Sequence, residues 1–161
     1  KRGKLQEQEN FVNDHFDGIQ KYFYDTGKLK MEISYKNGVL DGKMIKYYRN
    51  GKKQEKSTYL NGLKEGKSSW YYENESISIE YPYVKGSIEG IVKTYYNDGV
   101  LKSELPYINN ELNGEKKEYY TSGKLKLKGQ YINGKKEGKW YLYKENGSFN
   151  ISRYKNGLEK W

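Results

Sequence analysis

The chain contains no cysteine and a single histidine, His15, among its 161 residues. Without cysteine, disulfide bonds and thiolate metal sites are excluded, and either redox compartment is compatible with the composition. One imidazole without a neighbouring cluster predicts a surface or cap residue rather than a metal ligand or a base. We therefore expect no metal site, no cofactor and no enzyme activity.

Aliphatic side chains are too few to fill a globular core. Hydrophobic residues make up 34% of the chain and alanine is missing, whereas there are 19 tyrosines and 18 glycines. No hydrophobic run is long enough to span a membrane as a helix. Because tyrosine buries a large ring while its hydroxyl stays near water, the composition predicts a thin core built from rings.

Glycine recurs every 24 residues, at Gly18, Gly42, Gly66, Gly90, Gly114 and Gly138. A fixed short period indicates stacked copies of one supersecondary unit. Residues 18–161 are therefore divided into six repeats, with the bounds 18–41, 42–65, 66–89, 90–113, 114–137 and 138–161. Residues 1–17 break the period. They are predicted to form an N-terminal cap, as a short helix or an irregular segment, or a tether.

Each repeat reads as a β-hairpin. Asn-Gly pairs such as Asn37-Gly38 and Asn61-Gly62 favour tight turns with positive φ at both central residues. Between turns, Leu29, Met31 and Ile33 alternate with polar residues, as expected for a strand with one buried face. The predicted fold is all-β: an elongated single-layer antiparallel meander of six 24-residue β-hairpin repeats.

The leading glycines admit two interpretations. Each could leave room for an aromatic ring of the adjoining hairpin to cross the backbone, or each could mark a plain turn or bulge. If rings cross at Gly90 and Gly114, valine at either position would be strongly destabilising through overpacking.

The pattern G-x-x-x-x-Y-Y-x-x-G-x-L-x-x-E-x-x-Y-x-N-G runs through residues 18–38, and most of it recurs through residues 90–107. It resembles the bacterial variant of the MORN repeat (membrane occupation and recognition nexus), whose members are often labelled antitoxin-like components of toxin–antitoxin modules. The resemblance covers about residues 18–161 and implies a β-meander used for protein or membrane contact. The resemblance does not assign an inhibitory activity to any residue of this chain.

The net charge of +9 is compatible with an anionic partner. Almost all of the excess is lysine, with Arg2, Arg49 and Arg153 as the arginines. Dedicated phosphate and nucleic-acid sites favour the bidentate arginine fork, so nucleic acid is a disfavoured partner. Part of the excess is also explained by the codon usage of an AT-rich genome, which the absence of alanine supports.

We expect non-catalytic binding of a protein partner through exposed aromatic and lysine side chains. The candidate contact residues stand beside the residues expected in the core and alternate to the opposite face of the sheet. They are Tyr48, Trp70, Tyr72, Tyr96 and Tyr120. The alternative for these residues is that they merely cover the second face. The alternative functions are binding to an anionic membrane or glycan surface, and a structural spacer or adhesin element.

The N-terminus, Lys-Arg-Gly-Lys, lacks an initiator methionine. This predicts that an upstream segment is removed. Together with the absence of cysteine, it favours a bacterial protein exported to the cell envelope or the extracellular space.

Overall fold

A computed structural model describes residues 4–161, and these residues form strands and turns with no helix among them. The 19 strands are β1 (Glu7–Gln8), β2 (Phe11–Val12), β3 (His15–Phe16), β4 (Gly18–Phe23), β5 (Leu29–Lys36), β6 (Val39–Tyr47), β7 (Lys53–Leu60), β8 (Leu63–Lys64), β9 (Gly66–Tyr71), β10 (Ile77–Val84), β11 (Ser87–Ile88), β12 (Gly90–Tyr95), β13 (Leu101–Ile108), β14 (Glu111–Leu112), β15 (Gly114–Tyr119), β16 (Leu125–Ile132), β17 (Lys135–Tyr143), β18 (Phe149–Lys155) and β19 (Leu158–Lys160). The predicted all-β class of antiparallel hairpins is confirmed.

The chain divides into two compact units. Unit 1 comprises the chain up to Ile77 together with Tyr83–Gly86, and unit 2 comprises Ser78–Pro82 and Ser87–Trp161. In unit 1, β4 pairs with β1 and β5, β6 lies between β5 and β7, and β7 also pairs with β8 and β9, all antiparallel. In unit 2, β12, β13, β15, β16, β17, β18 and β19 pair antiparallel in chain order.

Each repeat contains two different turns. The first follows the paired aromatics: in the segment from Tyr24 to Lys28, the amide of Gly27 donates to the carbonyl of Tyr24 (2.7 Å) and the amide of Tyr24 donates to Lys28 (2.8 Å). Gly27 has φ +83°, which gives a three-residue loop closed by a left-handed glycine. The second is a two-residue turn with positive φ at both centres, such as Asn37 (49°) and Gly38 (78°). The Asn-Gly prediction is confirmed at this turn.

The two-residue turns are pinned to the preceding repeat by hydrogen bonds. The amide of Asn61 donates to the Asp41 carboxylate (3.1 Å), and the amide of Gly62 donates to the carbonyl of Leu40 (2.7 Å). A carboxylate at the position of Asp41 accepts the same bond in most repeats: Asp17 from Asn37, Glu65 from Lys85, Glu89 from Asn109 and Glu137 from Asn156. We call these bonds the turn pins. Because a side-chain carboxylate satisfies the turn amide at these five turns, it holds each of them at a fixed offset from the hairpin before it.

The fifth repeat departs from this pattern. The pin position there holds Asn113, whose amide group donates to the Oδ1 atom of Asn133 (3.2 Å). The backbone bond from Gly134 to Leu112 is retained at 2.9 Å. A neutral amide thus replaces the carboxylate at one of the turns.

One column of buried residues lies two positions after the leading glycine in five of the six repeats, and other buried residues, such as Ile33, Ser57 and Ser103, lie on the second strands of hairpins. The column contains Gln20, Met44, Ser68, Val92 and Trp140. Each lies opposite the second strand of its hairpin, as in the pairs Gln20↔Ile33 and Val92↔Leu105. The column is chemically mixed, because Gln20 is satisfied by hydrogen bonds to the backbone of Asn10 while Val92 and Met44 are apolar.

No aromatic ring crosses the leading glycines. These glycines have positive φ, for example Gly90 (+111°) and Gly114 (+127°), and the side chains nearest a Cβ added there belong to Pro82 and Pro106. The plain turn or bulge interpretation is therefore correct at these positions, and the aromatic-crossing interpretation is wrong.

A ring does cross a glycine elsewhere. The indole of Trp140 lies against Gly129, where an added Cβ would be 2.1 Å from the ring. Gly129 stands in the second strand of its hairpin, opposite Lys116, and its φ lies outside the left-handed range that marks the leading glycines. Its role is therefore to make space for the ring.

Residues 4–17 contain strands instead of a helix. Strand β1 pairs with β4 through Glu7↔Tyr22, and Phe11 and Phe16 face each other across β2 and β3 with their ring centroids 4.7 Å apart. The turn between them, Asn13-Asp14, has φ values of 49° and 61° and so repeats the two-residue turn geometry. Residues 1–3 of the predicted N-terminal segment lie outside the described residues, and the boundary at residue 17 stays a prediction.

Candidate binding surface

Three of the candidate tyrosines have their hydroxyl groups bonded to the next repeat. Tyr48 donates to the carbonyl of Tyr71 (2.6 Å), Tyr96 to Tyr119 (2.8 Å) and Tyr120 to Tyr143 (2.7 Å). The rings are half-buried. Each tyrosine therefore links neighbouring repeats, and a part of its ring stays accessible. The structure places Tyr48 beside the Trp70–Tyr72 segment of unit 1, and Tyr96 beside Tyr120 in unit 2.

Trp70 packs over a lysine instead of standing alone on a second face. The Lys64 ammonium lies 4.8 Å from its ring centroid and 5.2 Å from that of Tyr83. The same ammonium is 3.3 Å from the buried carboxylate of Glu55. Trp70 follows buried Ser68 by two residues on β9, so both point to the same face. The sequence expectation that it alternates to the face opposite the core does not hold at this position.

Tyr72 lies at the turn that follows β9 and is half-buried. Its amide donates to the carbonyl of Ser76 (2.8 Å), and its carbonyl accepts from the amide of Glu75 (2.9 Å). Glu75 replaces the glycine of the other repeats and has φ +74°. Tyr72 thus has the turn position of Tyr24, Tyr96 and Tyr120.

Lysine ammonium groups lie over several of the half-buried rings. Lys102 lies 5.6 Å from the Tyr96 centroid and Lys126 lies 5.5 Å from that of Tyr120. Both distances are within the range of a cation–π contact. The aromatic and lysine side chains predicted to contact a partner are therefore arranged as neighbouring pairs on the surface.

A second set of tyrosines contacts glutamates of the preceding repeat. Tyr95 donates to Glu80 (3.0 Å) and Tyr119 donates to Glu104 (2.8 Å). Desolvation by burial, reinforced by these carboxylates, raises the pKa of both tyrosines to about 12. The hydroxyls therefore stay protonated at neutral pH and act as fixed donors.

Aliphatic side chains around the two-residue turns are exposed. The sequence prediction, which named aromatic and lysine side chains, did not include them. In unit 1, Val39, Leu60, Leu63 and Val84 are 45–53% exposed. We call these four residues the turn-side aliphatic row. Leu60 and Leu63 face each other across their turn, Val39 lies beside Gly62, and Leu63 lies beside Gly86. Their position next to each two-residue turn was the sequence signal that could have identified them.

The last full hairpin of unit 2 holds an aromatic cluster. The rings of Tyr141, Tyr143 and Phe149 lie with centroids 5.5 to 6.2 Å apart. Phe149 is 51% exposed, and the Lys128 ammonium lies 5.2 Å from the Tyr141 centroid. On the opposite face of the same hairpin, Trp140 is buried between Tyr131 and Tyr154.

Two classes of site are not found within residues 4–161. No group of three or more histidine, cysteine, aspartate or glutamate side chains in this range is arranged to hold a metal ion. No helix in the same range is long and apolar enough to cross a membrane.

Comparison with known families supports the resemblance noted in the sequence. Five stretches match the sequence model of the MORN repeat variant: residues 16–37, 40–61, 64–85, 88–109 and 112–133. Together they cover more than half of the chain. MORN repeats are generally associated with binding and scaffold roles. The sixth predicted repeat, 138–161, lies outside these stretches, although β17 and β18 pair there as a hairpin.

The comparisons with curated proteins and with solved structures add nothing about function. No curated protein matches the chain. Among solved structures, the crystal structure of the GtfA/B complex bound to UDP and GlcNAc aligns with 13% sequence identity and a TM-score of 0.28. The alignment covers 88% of this chain and 28% of that one, and no argument is based on it.

Proposed function

Because the chain belongs to the MORN repeat variant family, we propose that it is a non-catalytic scaffold that binds a protein partner through exposed apolar, aromatic and lysine side chains. The observation that carries the proposal is the turn-side aliphatic row. Leu60 and Leu63 remain 53% and 50% exposed although the fold buries smaller and more polar side chains such as Ser57 and Ser68. A contiguous exposed apolar surface with a polar surround is typical of a protein interaction site.

The same positions are apolar in unit 2. Ile108 and Ile132, which also precede two-residue turns, are each 48% exposed. Lysine–tyrosine pairs, such as Lys102 with Tyr96, add cationic and aromatic surface. A few residues, enriched in tyrosine and tryptophan, supply most of the binding free energy in protein interfaces, and surrounding charges mainly set the association rate.

The experiment is a pull-down with the intact chain, followed by affinity measurement for the recovered protein. Leu60→Ser with Leu63→Ser should weaken binding by at least about tenfold, because each loses apolar contact area. Ile91→Ser is the matched control, because Ile91 is 50% exposed but lies within β12 opposite Pro106 and outside the turn-side aliphatic row. Equal affinities for the two variants would contradict the proposal.

Binding to an anionic membrane or glycan surface is the second candidate. The net charge of +9 favours it, and such binding falls steeply with salt because it depends on screened charges. Cosedimentation with anionic vesicles, lost at physiological ionic strength and insensitive to Leu60→Ser with Leu63→Ser, would replace the protein-partner proposal. A chain that binds neither would favour the structural spacer or adhesin element.

An antitoxin-like role, a bacterial source and export to the cell envelope belong to the same proposal. They rest on the family resemblance and on the composition of the chain. The neighbouring genes test them: an adjacent toxin gene supports the antitoxin-like role, and a signal peptide upstream of Lys1 supports export.

A further inference from the structure

Three cations form a row across the last strands of unit 2. Lys139 on β17 pairs directly with Arg153 on β18, and Arg153 pairs with Lys160 on β19. Directly paired residues project from the same face of a sheet, with adjacent strands about 4.8 Å apart. All three side chains are exposed, and none of them forms an ion pair with another residue in 4–161. We call these three residues the cationic row.

A row of apolar side chains lies beside it on the same face. Tyr141 on β17 pairs with Ile151 on β18, and each lies two residues along its strand from the cationic pair. The next pair on the same face joins Tyr143 to Phe149. Ile151 is 45% exposed and Phe149 is 51% exposed. We call these four residues the apolar row. Since alternate residues of a strand share a face, it lies about 7 Å from the cationic row.

The directly paired cations Lys139 and Arg153 differ from the pairs at the same position of other repeats. Ile19 pairs with Ser34 in the first repeat and Lys43 pairs with Thr58 in the second. Ile91 pairs with Pro106 in the fourth repeat and Glu115 pairs with Gln130 in the fifth. Like charges directly opposite each other destabilise a sheet. This concentration of positive charge is therefore not explained by folding.

Acidic groups do not neutralise the cationic row. Glu115, which has the position of Lys139 in the fifth repeat, is bound to Lys117 (3.2 Å). Glu137 shares the face of Lys139 by strand parity, and its carboxylate accepts the amide of Asn156 (2.8 Å). Both carboxylates are thus already engaged.

We propose that this face binds an extended segment of the partner protein in which acidic and apolar residues alternate. The inference rests on the proposed function and names the chemistry of the partner. Side chains of an extended peptide point alternately to opposite sides. A segment lying between the two rows places its carboxylates on Lys139, Arg153 and Lys160, and its apolar side chains on Ile151 and Phe149.

The apolar row decides between this partner and a simple polyanion. Lipid headgroups or sulfated glycans would neutralise the cations and leave the exposed side chains of Phe149 and Ile151 without contacts. Single-stranded nucleic acid needs ring faces on which bases stack, whereas the Phe149 ring is tilted by 60° and 50° against Tyr141 and Tyr143. An acidic and apolar peptide satisfies both rows.

The test measures fluorescence anisotropy of a labelled peptide of about eight alternating Glu and Leu residues, long enough in extended form to cross the three strands. The full chain should bind it. Replacing the cationic row by Lys139→Glu, Arg153→Glu and Lys160→Glu should weaken the affinity by at least about tenfold. The matched control is Lys36→Glu, Lys43→Glu and Lys56→Glu, which changes three exposed lysines of unit 1. This variant has the same net charge as the variant of the cationic row. It should bind like the unmodified chain.

A second pair of variants tests the apolar row. Phe149→Ser with Ile151→Ser should weaken peptide binding, whereas Ile19→Ser with Ile91→Ser, which replaces residues of similar exposure, should not. A peptide of alternating Glu and Gly should bind at least about tenfold more weakly than the Glu and Leu peptide, because it lacks apolar contacts. Circular dichroism and thermal unfolding confirm that every variant is folded.

Three results would overturn the inference. The first is equal peptide affinity for the two charge-reversal variants, and the second is equal affinity for the two peptides. The third is tighter binding of oligothymidylate or of anionic vesicles than of the Glu and Leu peptide, lost with the cationic row. If a recovered protein partner still depends on Leu60 and Leu63, the proposed function stands while this inference fails. If no protein partner binds, the proposed function fails independently.

Discussion

At the scale of the residue, Gly129 determines how Trp140 packs. The indole occupies the space where any other residue would carry its Cβ, at 2.1 Å. Gly129→Ala should lower the free energy of unfolding by about 2–4 kcal/mol, because the ring must move out of its buried position. Chemical denaturation measures this value.

The Trp140→Leu variant provides the control for that prediction. If the ring is the cause, Gly129→Ala should cost much less in a Trp140→Leu background, because two residues in contact are not additive. Equal costs in both backgrounds would place the effect in the backbone of β16 instead.

Tyr95 and Tyr119 give the molecule a dependence on alkaline pH. Tyrosine in an unfolded chain has a pKa near 10, whereas burial and the neighbouring carboxylates raise the pKa of both residues to about 12 in the folded protein. The folded state holds these protons more tightly, so their contribution to stability is complete below about pH 10 and is lost as the pH rises towards about 12.

Tyr95→Phe with Tyr119→Phe should reduce that loss. The measurement is the free energy of unfolding of both proteins at about pH 9, below the pKa of the unfolded chain, and at about pH 12, near the pKa of the folded protein. All other titratable groups are the same in both proteins, so their effect cancels in the comparison. An identical loss in the variant would show that the two hydroxyls are not responsible.

At the scale of the element, the turn pins predict a stabilising substitution. Asn113 is the neutral exception among the pins, and the equivalent carboxylate of Glu89 accepts the amide of Asn109 at 2.8 Å. Asn113→Asp should therefore accept the amide of Asn133 and stabilise the protein by about 0.5–1.5 kcal/mol. Thermal and denaturant unfolding measure the gain.

The opposite substitution is the control. Glu89→Gln weakens an existing charged acceptor and should destabilise by a similar amount. A gain from both substitutions, or from neither, would contradict the role of the carboxylate in the turn pins.

The element scale also shows what the sequence could predict. Asn37-Gly38 and Asn61-Gly62 define their turns by local chemistry, because both central residues need positive φ. Strand alternation is equally local. By contrast, Trp140 meets Gly129 across neighbouring strands, and no periodic column indicates this contact. Lateral packing between hairpins depends on bulges and side-chain volume, which spacing does not specify.

The candidate site was predicted less well for the same reason. The aromatic columns were visible, but the bond from the Tyr96 hydroxyl to Tyr119 and the packing of Trp70 over Lys64 arise between strands. The exposure of the aliphatic residues beside the turns, such as Leu60 and Leu63, also depends on how neighbouring hairpins pack, which sequence spacing does not specify. The cationic row depends on register, which brings Lys139, Arg153 and Lys160 together.

At the scale of the whole molecule, repeats should be interchangeable. Deleting the 24 residues from Gly90 to Asn113 joins Glu89 to Gly114. Pro82, which lies beside Gly90 as Pro106 lies beside Gly114, then takes the place of Pro106, and Glu89 supplies a carboxylate at the former position of Asn113. We expect a folded, shorter β protein, because each repeat contacts mainly its neighbours.

Circular dichroism, size exclusion and a cooperative melting curve test this expectation. The control is a deletion of about half a repeat, which removes one strand and reverses the direction of those that follow. That variant should aggregate or unfold. Aggregation of the full-repeat deletion as well would show that contacts beyond the nearest repeats are needed.

The turn pins also bear on how the protein is made. Each two-residue turn of the repeats donates backwards, as Asn61 and Gly62 do to Asp41 and Leu40, so the acceptors of these bonds are synthesised before the turn itself. A hairpin leaving the ribosome finds its anchoring groups already in place on the hairpin ahead of it. The nascent chain can therefore fold one hairpin at a time, and no strand stays exposed until a partner distant in sequence has been synthesised.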